Sequence, residues 1–178
     1  NWLRRSGPVG QWLDVATSSD GQKILSTCNG CIPQLSSNGG VSWTALNDLG
    51  PLGWRSFTVS PDGMHLGAAS PDGPIFTSDD GGTIWVDHTS ALNGAIDWLS
   101  LAASADGQHL AAAIYSGGDI WTSDDGGTTW TDNNFVPANN WYAVTLSADG
   151  TKLYATANGD YIYSSVLPNV APVASIVS

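Results

Sequence analysis

Apolar residues alternate with small or polar residues in four short segments of the chain. The segments read LDVATS, RSFTVS, LSLAAS and YAVTLS, and each ends in a turn of the form SSDG, SPDG or SADG. Such alternation predicts half-buried strands, and Asp-Gly favours the tight turn of a hairpin. The turn glycines Gly21, Gly63, Gly107 and Gly150 are spaced by 42, 44 and 43 residues, and a Trp precedes each of them by nine positions. The chain therefore contains four repeated units.

A second turn and an eight-residue motif follow within each unit. The turn is Asn-Gly, Asp-Gly, Gly-Gly and again Asn-Gly. The motif, which we call the box, has the pattern S-x-[DN]-x-G-x-x-W and occurs three times. Its key positions are Ser36, Asn38, Gly40 and Trp43, then Ser78, Asp80, Gly82 and Trp85, then Ser123, Asp125, Gly127 and Trp130. The fourth unit has lost the box.

Units of about 40 to 50 residues with four strands each are typical of β-propeller blades. We therefore predict an all-β fold over residues 1–165, a β-propeller with four blades of four antiparallel strands. The N-terminal segment NWLRRSG aligns with the fourth strand of the other units, so residues 2–7 are predicted to close the last blade. Closure is possible within one chain or between chains. Closure within the chain is favoured because it removes exposed strand edges at no cost of association.

The box resembles the Asp-box, or BNR, repeat of sialidases, sortilin-type receptors, xyloglucan-degrading endoglucanases and photosystem assembly factors. The resemblance extends from Trp2 to Ser165. It implies that the Ser and Asp side chains hold backbone N–H groups, that Gly takes the left-handed position and that Trp packs between blades. Asn38 stands in the Asp position of the first box. The resemblance implies little about function, because this architecture carries enzymes, receptors and scaffolds.

The catalytic residues of those enzymes find no match in this sequence. The sialidases use an arginine triad and a Tyr–Glu pair, whereas this chain has three Arg and no Glu. The endoglucanases use paired Asp in a cleft between two propellers, and one propeller is predicted here. Asp97 with Asp119 could form an acid–base pair, although solvated loop carboxylates are the more ordinary interpretation. We expect no catalytic residues, no cofactor and no metal site.

The loops on one face of the predicted propeller vary between units, and variable loops on a rigid scaffold are where recognition is expected. Four Trp, one per unit, stand at the mouth of this face: Trp12, Trp54, Trp98 and Trp141. Together with Tyr115 and Asp97 they are candidate ligand-binding residues, since flat aromatic rings bind the apolar faces of sugars. The favoured alternative is that a Trp at a constant repeat position packs against its neighbours.

Charge and cysteine content restrict the partners and the compartment. The net charge of −11 disfavours nucleic acid and anionic membrane surfaces, and no apolar run is long enough for membrane insertion. Half of the 16 acidic residues occupy repeated turn positions. Cys28 and Cys31 flank an Asn-Gly turn that would place them opposite each other, within disulfide range. A disulfide fits an extracellular or secreted protein, or a periplasmic one.

Residues 166–178, VLPNVAPVASIVS, are predicted to form an extended apolar tail, since the two prolines exclude a helix. Such a tail suits head-to-tail docking on another copy of the chain, which gives filaments when it does not close. The sequence thus favours a non-enzymatic extracellular propeller that serves as a structural or interaction module and assembles with itself through its terminal segments. The alternatives are a glycan-binding propeller and a fragment of a glycan-active enzyme.

Overall fold

The computed structural model describes residues 3–4, 10–94, 97–133 and 139–167. Fifteen strands are present in this part of the chain, with two 3₁₀ turns at Asn47–Leu49 and Thr89–Leu92. The strands are β1 Trp12–Thr17, β2 Ile24–Cys28, β3 Gln34–Ser36, β4 Thr44–Ala45, β5 Ser56–Val59, β6 Leu66–Ala69, β7 Ile75–Ser78, β8 Val86–Asp87, β9 Trp98–Ala103, β10 Leu110–Ile114, β11 Ile120–Ser123, β12 Thr131–Asp132, β13 Trp141–Leu146, β14 Lys152–Ala157 and β15 Ile162–Val166.

The strands form four separate antiparallel sheets, one per repeat. Three sheets have four strands in the orders β1-β2-β3-β4, β5-β6-β7-β8 and β9-β10-β11-β12, and the last has β13-β14-β15. We call these sheets blades 1 to 4. Every strand pairs with its neighbour in the sequence, as successive hairpins require. The all-β class and the four-blade organisation predicted from the repeats are confirmed.

The first hairpin turn of each blade is built by its own Ser and Asp side chains. In blade 1 the Ser18 hydroxyl donates to Asp20 Oδ1 at 2.6 Å, and the same oxygen accepts the backbone N–H of Gln22 at 2.9 Å. Gly21 follows with φ of 69°, a left-handed conformation that glycine adopts without steric cost. The S-x-D-G pattern therefore supplies all the side chains and the glycine that this turn needs.

Three hydrophobic clusters hold the blades together. One contains Leu25 of blade 1 with Trp54 and Phe57 of blade 2. The second joins blade 2 to blade 3, and the third joins blade 3 to blade 4. Each cluster is thus a blade-to-blade interface rather than the interior of one sheet. Within the described residues, no fourth cluster joins blade 4 to blade 1.

One hydrogen bond recurs at each of these interfaces, between the first strands of neighbouring blades. A side-chain oxygen of one strand accepts a backbone N–H of the next. The pairs are Asp14 Oδ2 with Phe57 N at 2.8 Å, Ser56 Oγ with Leu101 N at 3.0 Å, and Ser100 Oγ with Val144 N at 3.1 Å. The three acceptors occupy one position of the repeat, so the interface geometry repeats with the sequence.

Two predictions concern the ends of the chain. The closing strand at residues 2–7 lies mostly outside the described residues, and Leu3 and Arg4, which are described, belong to no strand. At the other end, β15 continues to Val166, and Leu167 is buried in the cluster between blades 3 and 4. The predicted tail therefore begins after Leu167. Its remaining residues, 168–178, lie outside the described part of the chain.

Candidate functional site

The three boxes form turns held by their own side chains. In each, the Ser hydroxyl accepts the backbone N–H of the motif glycine at 2.9 Å, in the pairs Ser36–Gly40, Ser78–Gly82 and Ser123–Gly127. The Asp or Asn side chain accepts a second backbone N–H four residues later, from Ser42, Ile84 or Thr129 at 2.8 to 2.9 Å. The Asn38 amide oxygen thus replaces a carboxylate without loss of the turn.

Gly82 shows why this position must be glycine. Its φ is 94°, and a Cβ there would stand 2.7 Å from Leu35 Cδ2 of the preceding blade. In the same box, the hydrogen bond from the Ile84 backbone is the main reason why the pKa of Asp80 lies below its usual value. A carboxyl held ionised by turn N–H groups is suited to a structural role. These side chains are already bonded within the turn, and we place no ligand site here.

The Trp residues singled out as ligand candidates divide into two groups. Trp54, Trp98 and Trp141 are completely buried and contact an aromatic ring of the third strand in their own blade, at centroid distances of 5.0 to 6.2 Å. Their rings have no face open to a sugar, so the packing alternative describes all three. Trp12, the copy in blade 1, is exposed.

A cavity of about 680 Å³ lies where the first strands of blades 1 to 3 begin. Leu13 and Leu99 line it from β1 and β9, Arg55 lines it from the position just before β5, and Asp72 and Tyr115 line it from the turns after β6 and β10. This is the variable face of the repeat. The volume lies in the range of small-molecule and cofactor pockets.

Asp97 stands at the wall of this cavity in an unusual backbone conformation. Its φ is 70°, one of two positive values among the described non-glycine residues. The Asp97 N–H donates to the Pro71 carbonyl at 3.0 Å, its own carbonyl accepts the Tyr115 N–H at 3.2 Å, and its carboxylate accepts the Ser116 hydroxyl. Strained conformations of this kind concentrate at functional sites. The network fixes both Asp97 and Tyr115.

Tyr115, which lines the cavity, contacts Tyr142 of blade 4. Their rings pack edge to face with centroids 6.3 Å apart, and Tyr142 is exposed. Tyr142 was not among the candidates, and neither was Arg55. Both occupy the repeat position held by Leu13 and Leu99, one residue after the constant Trp. A position that changes from Leu to Arg to Tyr beside a constant Trp was the signal in the sequence.

The cysteine pair frames the cavity on the blade 1 side. Cys28 and Cys31 are placed as a disulfide with Cα atoms 5.5 Å apart, and the intervening Asn29 and Gly30 line the cavity. In the part of the chain that the structure describes, no three His, Cys or Asp side chains are grouped to hold a metal ion. No helix among those residues is long and apolar enough to cross a membrane.

Comparison with known proteins identifies the fold. No protein-family model matches the chain, and no curated protein does. Solved structures match over most of its length. The computationally designed Ika4 protein superposes with a TM-score of 0.71 at 12% identity, with 93% of this chain and 96% of that one covered. The GH74 enzyme of Niastella koreensis superposes with a TM-score of 0.68 at 16% identity over 88% of this chain.

A third neighbour is YCF48 bound to a D1 peptide, with a TM-score of 0.58 at 21% identity, covering 85% of this chain and 47% of that one. The Cps50 β-propeller domain of Myceliophteria thermophila also matches, with a TM-score of 0.67. The fold is a β-propeller. The chain spans about a quarter of the length of the GH74 enzymes that it resembles. At these identities the likeness concerns the fold alone.

Proposed function

We propose that this chain is a non-enzymatic binding module, an Asp-box propeller that holds a protein segment in the cavity on its variable face. The observation that carries the proposal is the make-up of that cavity. It combines the Arg55 guanidinium, the carboxylates of Asp72 and Asp97 and the ring of Tyr115 around about 680 Å³. Arg and Tyr are the residue types that most often anchor protein partners.

Charge of both signs at one rim favours a peptide over a neutral ligand. A peptide offers charges of both signs together with backbone donors and acceptors, whereas a neutral sugar offers hydroxyl groups but no charge to pair with Arg55 or the two carboxylates. Two of the three charged groups that line the cavity are acidic, so the favoured segment carries at least one Lys or Arg. The neighbour that is bound to a D1 peptide supports peptide binding by a propeller of this kind.

The bonding within the boxes supports the Asp-box interpretation, and the paired cysteines support an extracellular location. The filament hypothesis rests on residues 168–178, outside the described part of the chain, and stays a prediction. Deleting 168–178 and comparing sedimentation at high concentration tests it.

Glycan binding is the second candidate, and one observation favours it. Tyr115 lines the cavity and forms an edge-to-face pair with Tyr142, which is exposed. Sugars stack on such rings through their apolar faces. Under this alternative the charged groups of the cavity would matter less than the two rings.

Peptide and glycan arrays probed with the same protein distinguish these functions. We expect the wild-type chain to bind a subset of peptides that contain Lys or Arg. Arg55→Ala and Tyr115→Ala should each weaken binding about tenfold, or about 1.4 kcal/mol. Ile84→Ala, at an exposed box position away from the cavity, is the control. Binding that the cavity variants leave unchanged would overturn the proposal, and retention on glycans alone would put the second candidate first.

A further inference from the structure

The side of blade 1 that faces away from blade 2 is uncovered. The clearest evidence is a comparison of residues at the same position in the four repeats. Trp12 is 41% exposed and Val15 is 66% exposed. Their copies in blades 2 to 4, which pack against a preceding blade, are buried: Trp54, Trp98 and Trp141 for the first position, and Phe57, Leu101 and Val144 for the second. Blade 1 has no preceding blade in the described chain.

The opposite side of blade 4 is uncovered in the same way. Ile162 is 77% exposed, whereas its copies Ile75 and Ile120 are buried in the interfaces with the next blade. Tyr154 is 43% exposed, and its copies Leu25 and Ala111 are completely buried. We call the two uncovered surfaces the first-blade face and the last-blade face.

These two faces are the two halves of one interface. The first-blade face is the half that blades 2, 3 and 4 turn toward the blade before them. The last-blade face is the half that blades 1, 2 and 3 turn toward the blade after them. The chain uses this interface three times internally, so the two uncovered faces correspond to the two halves of a contact that the chain already makes.

We propose that two copies of the chain pair head to tail, with each first-blade face packed on the other copy's last-blade face. Two four-blade chains then close a ring of eight blades, at the upper end of the usual propeller range. Closure of a single chain on itself would bury Trp12, Val15 and Ile162, which are exposed. The proposal concerns the edges of the blades and is independent of the cavity used in the proposed function.

A polar contact between blades 1 and 2 supports the pairing of a last-blade face with a first-blade face. Lys23 Nζ reaches from blade 1 to the Gly81 carbonyl in the box of blade 2, at 2.7 Å. Lys152 holds the same repeat position in blade 4 and is exposed. Its acceptor in a head-to-tail pair would be the carbonyl of Gly39, the copy of Gly81 in the first box. Both groups are thus present for a second use of this contact, which the chain makes once internally.

One recurring contact is missing at this junction. Ala143 stands at the position where Asp14, Ser56 and Ser100 accept a backbone N–H from the next blade. The partner N–H would be that of Val15, which already donates to its own Asp14 carboxylate at 2.9 Å. No donor is therefore left unpaired, but the junction between copies has one hydrogen bond fewer than the internal interfaces. We expect a reversible pair that dissociates on dilution.

Sedimentation equilibrium of the full chain over a concentration series tests the proposal. The wild-type chain should shift from monomer to dimer without larger species. Val15→Asp, on the first-blade face, and Ile162→Asp, on the last-blade face, should each weaken the dimer at least tenfold. Ile84→Asp, equally exposed but located in a box, is the control and should dimerise like the wild type. Melting temperatures that match the wild type in dilute protein, where all the chains are monomeric, establish that the variants are folded.

Mixing the two variants tests the head-to-tail arrangement itself. In a mixed pair, one junction combines the intact Ile162 of the first variant with the intact Val15 of the second. The other junction carries both Asp residues, whereas each variant paired with itself has an Asp in both junctions. Because one Asp in the apolar contact is expected to disrupt a junction, the mixed pair keeps one working junction, and the mixture should associate more strongly than either variant alone. A wild-type monomer at high concentration, the open-ended series of oligomers that the filament hypothesis predicts instead, or a dimer that neither Asp substitution weakens would each overturn the proposal. A mixture no stronger than its components would contradict head-to-tail pairing.

Discussion

Blades 2 and 3 and the end blades 1 and 4 have the same local structure in different surroundings. Their turns use the same Ser and Asp bonds, and their strands pair in the same order. Yet Trp98 is buried where Trp12 is exposed, and Ile75 is buried where Ile162 is exposed. The turn chemistry depends on residues within one repeat, whereas burial depends on the neighbouring blade. A repeat position therefore determines conformation without determining environment.

The largest difference between interior and end blades is expected at the constant Trp. Trp98→Ala removes a completely buried ring and should lower the free energy of unfolding by about 3–5 kcal/mol. Trp12→Ala should lower it by less than about 1 kcal/mol, since surface substitutions usually have small effects. Denaturant titration of dilute protein, where any dimer has dissociated, measures both. Equal losses in the two variants would mean that Trp12 is covered within the monomer.

Isoleucine in the third strand gives a second matched pair. Ile75→Ala should cost about 2–5 kcal/mol, since it leaves a cavity between blades 2 and 3. Ile162→Ala should change stability by less than about 0.5 kcal/mol in dilute protein. At high concentration Ile162→Ala should instead reduce association. A stability loss at Ile162 that is independent of concentration would contradict the open last-blade face.

The box serine gives a third matched pair, because blade 4 has a serine at this repeat position but no box. Ser78→Ala leaves the buried N–H of Gly82 without its acceptor and should cost about 1–3 kcal/mol. Ser165 holds the same repeat position in blade 4, and the structure gives its side chain no hydrogen bond within the described chain. Ser165→Ala should be neutral within about 0.5 kcal/mol. Thermal unfolding of both variants beside the wild type measures the difference, and a large loss at Ser165 would reveal a box-like turn there.

The local structure of this protein could be predicted almost completely from its sequence. Strand positions, both kinds of turn and the bonding within each box follow from residues fewer than ten positions apart. The cysteine pair across Asn29-Gly30 is equally local. These features could be predicted because a hairpin is specified by its own side chains and glycines.

Relations between blades were harder to predict. The alternation of apolar with small or polar residues in β1 and β13 predicts a strand. It does not predict whether a neighbouring blade covers that strand. The expected closure of the ring within the chain followed from counting strands, and it stays a prediction because most of the closing strand at residues 2–7 lies outside the described residues. The cavity combines residues from three blades, so the place of Arg55 in it could be recognised only once the blades were arranged side by side.

The smallest effect is expected where interior and end blades agree, in the pH dependence of the Asp-Gly turns. The Ser147 hydroxyl donates a hydrogen bond to Asp149, and this bond is the main reason why the pKa of the Asp149 carboxyl is lowered from 3.8 to about 2. The corresponding Ser also lowers the pKa of Asp20, Asp62 and Asp106. Because the folded pKa lies below the usual value, the ionised carboxylate stabilises the fold above about pH 4. That contribution is lost as the pH falls from 3.8 to about 2.

Asn keeps an acceptor oxygen but does not titrate. Asp149→Asn and Asp62→Asn should therefore flatten the fall in unfolding free energy across this pH window, each to a similar small extent, because both carboxyls are exposed to solvent. Denaturant titrations of dilute protein at pH 5, 3.5 and 2.5 measure the slope. A clearly larger effect in blade 2 than in blade 4 would mean that the neighbouring blade contributes to the stability of the turn. The turn conformation would then not be determined by residues of one repeat alone.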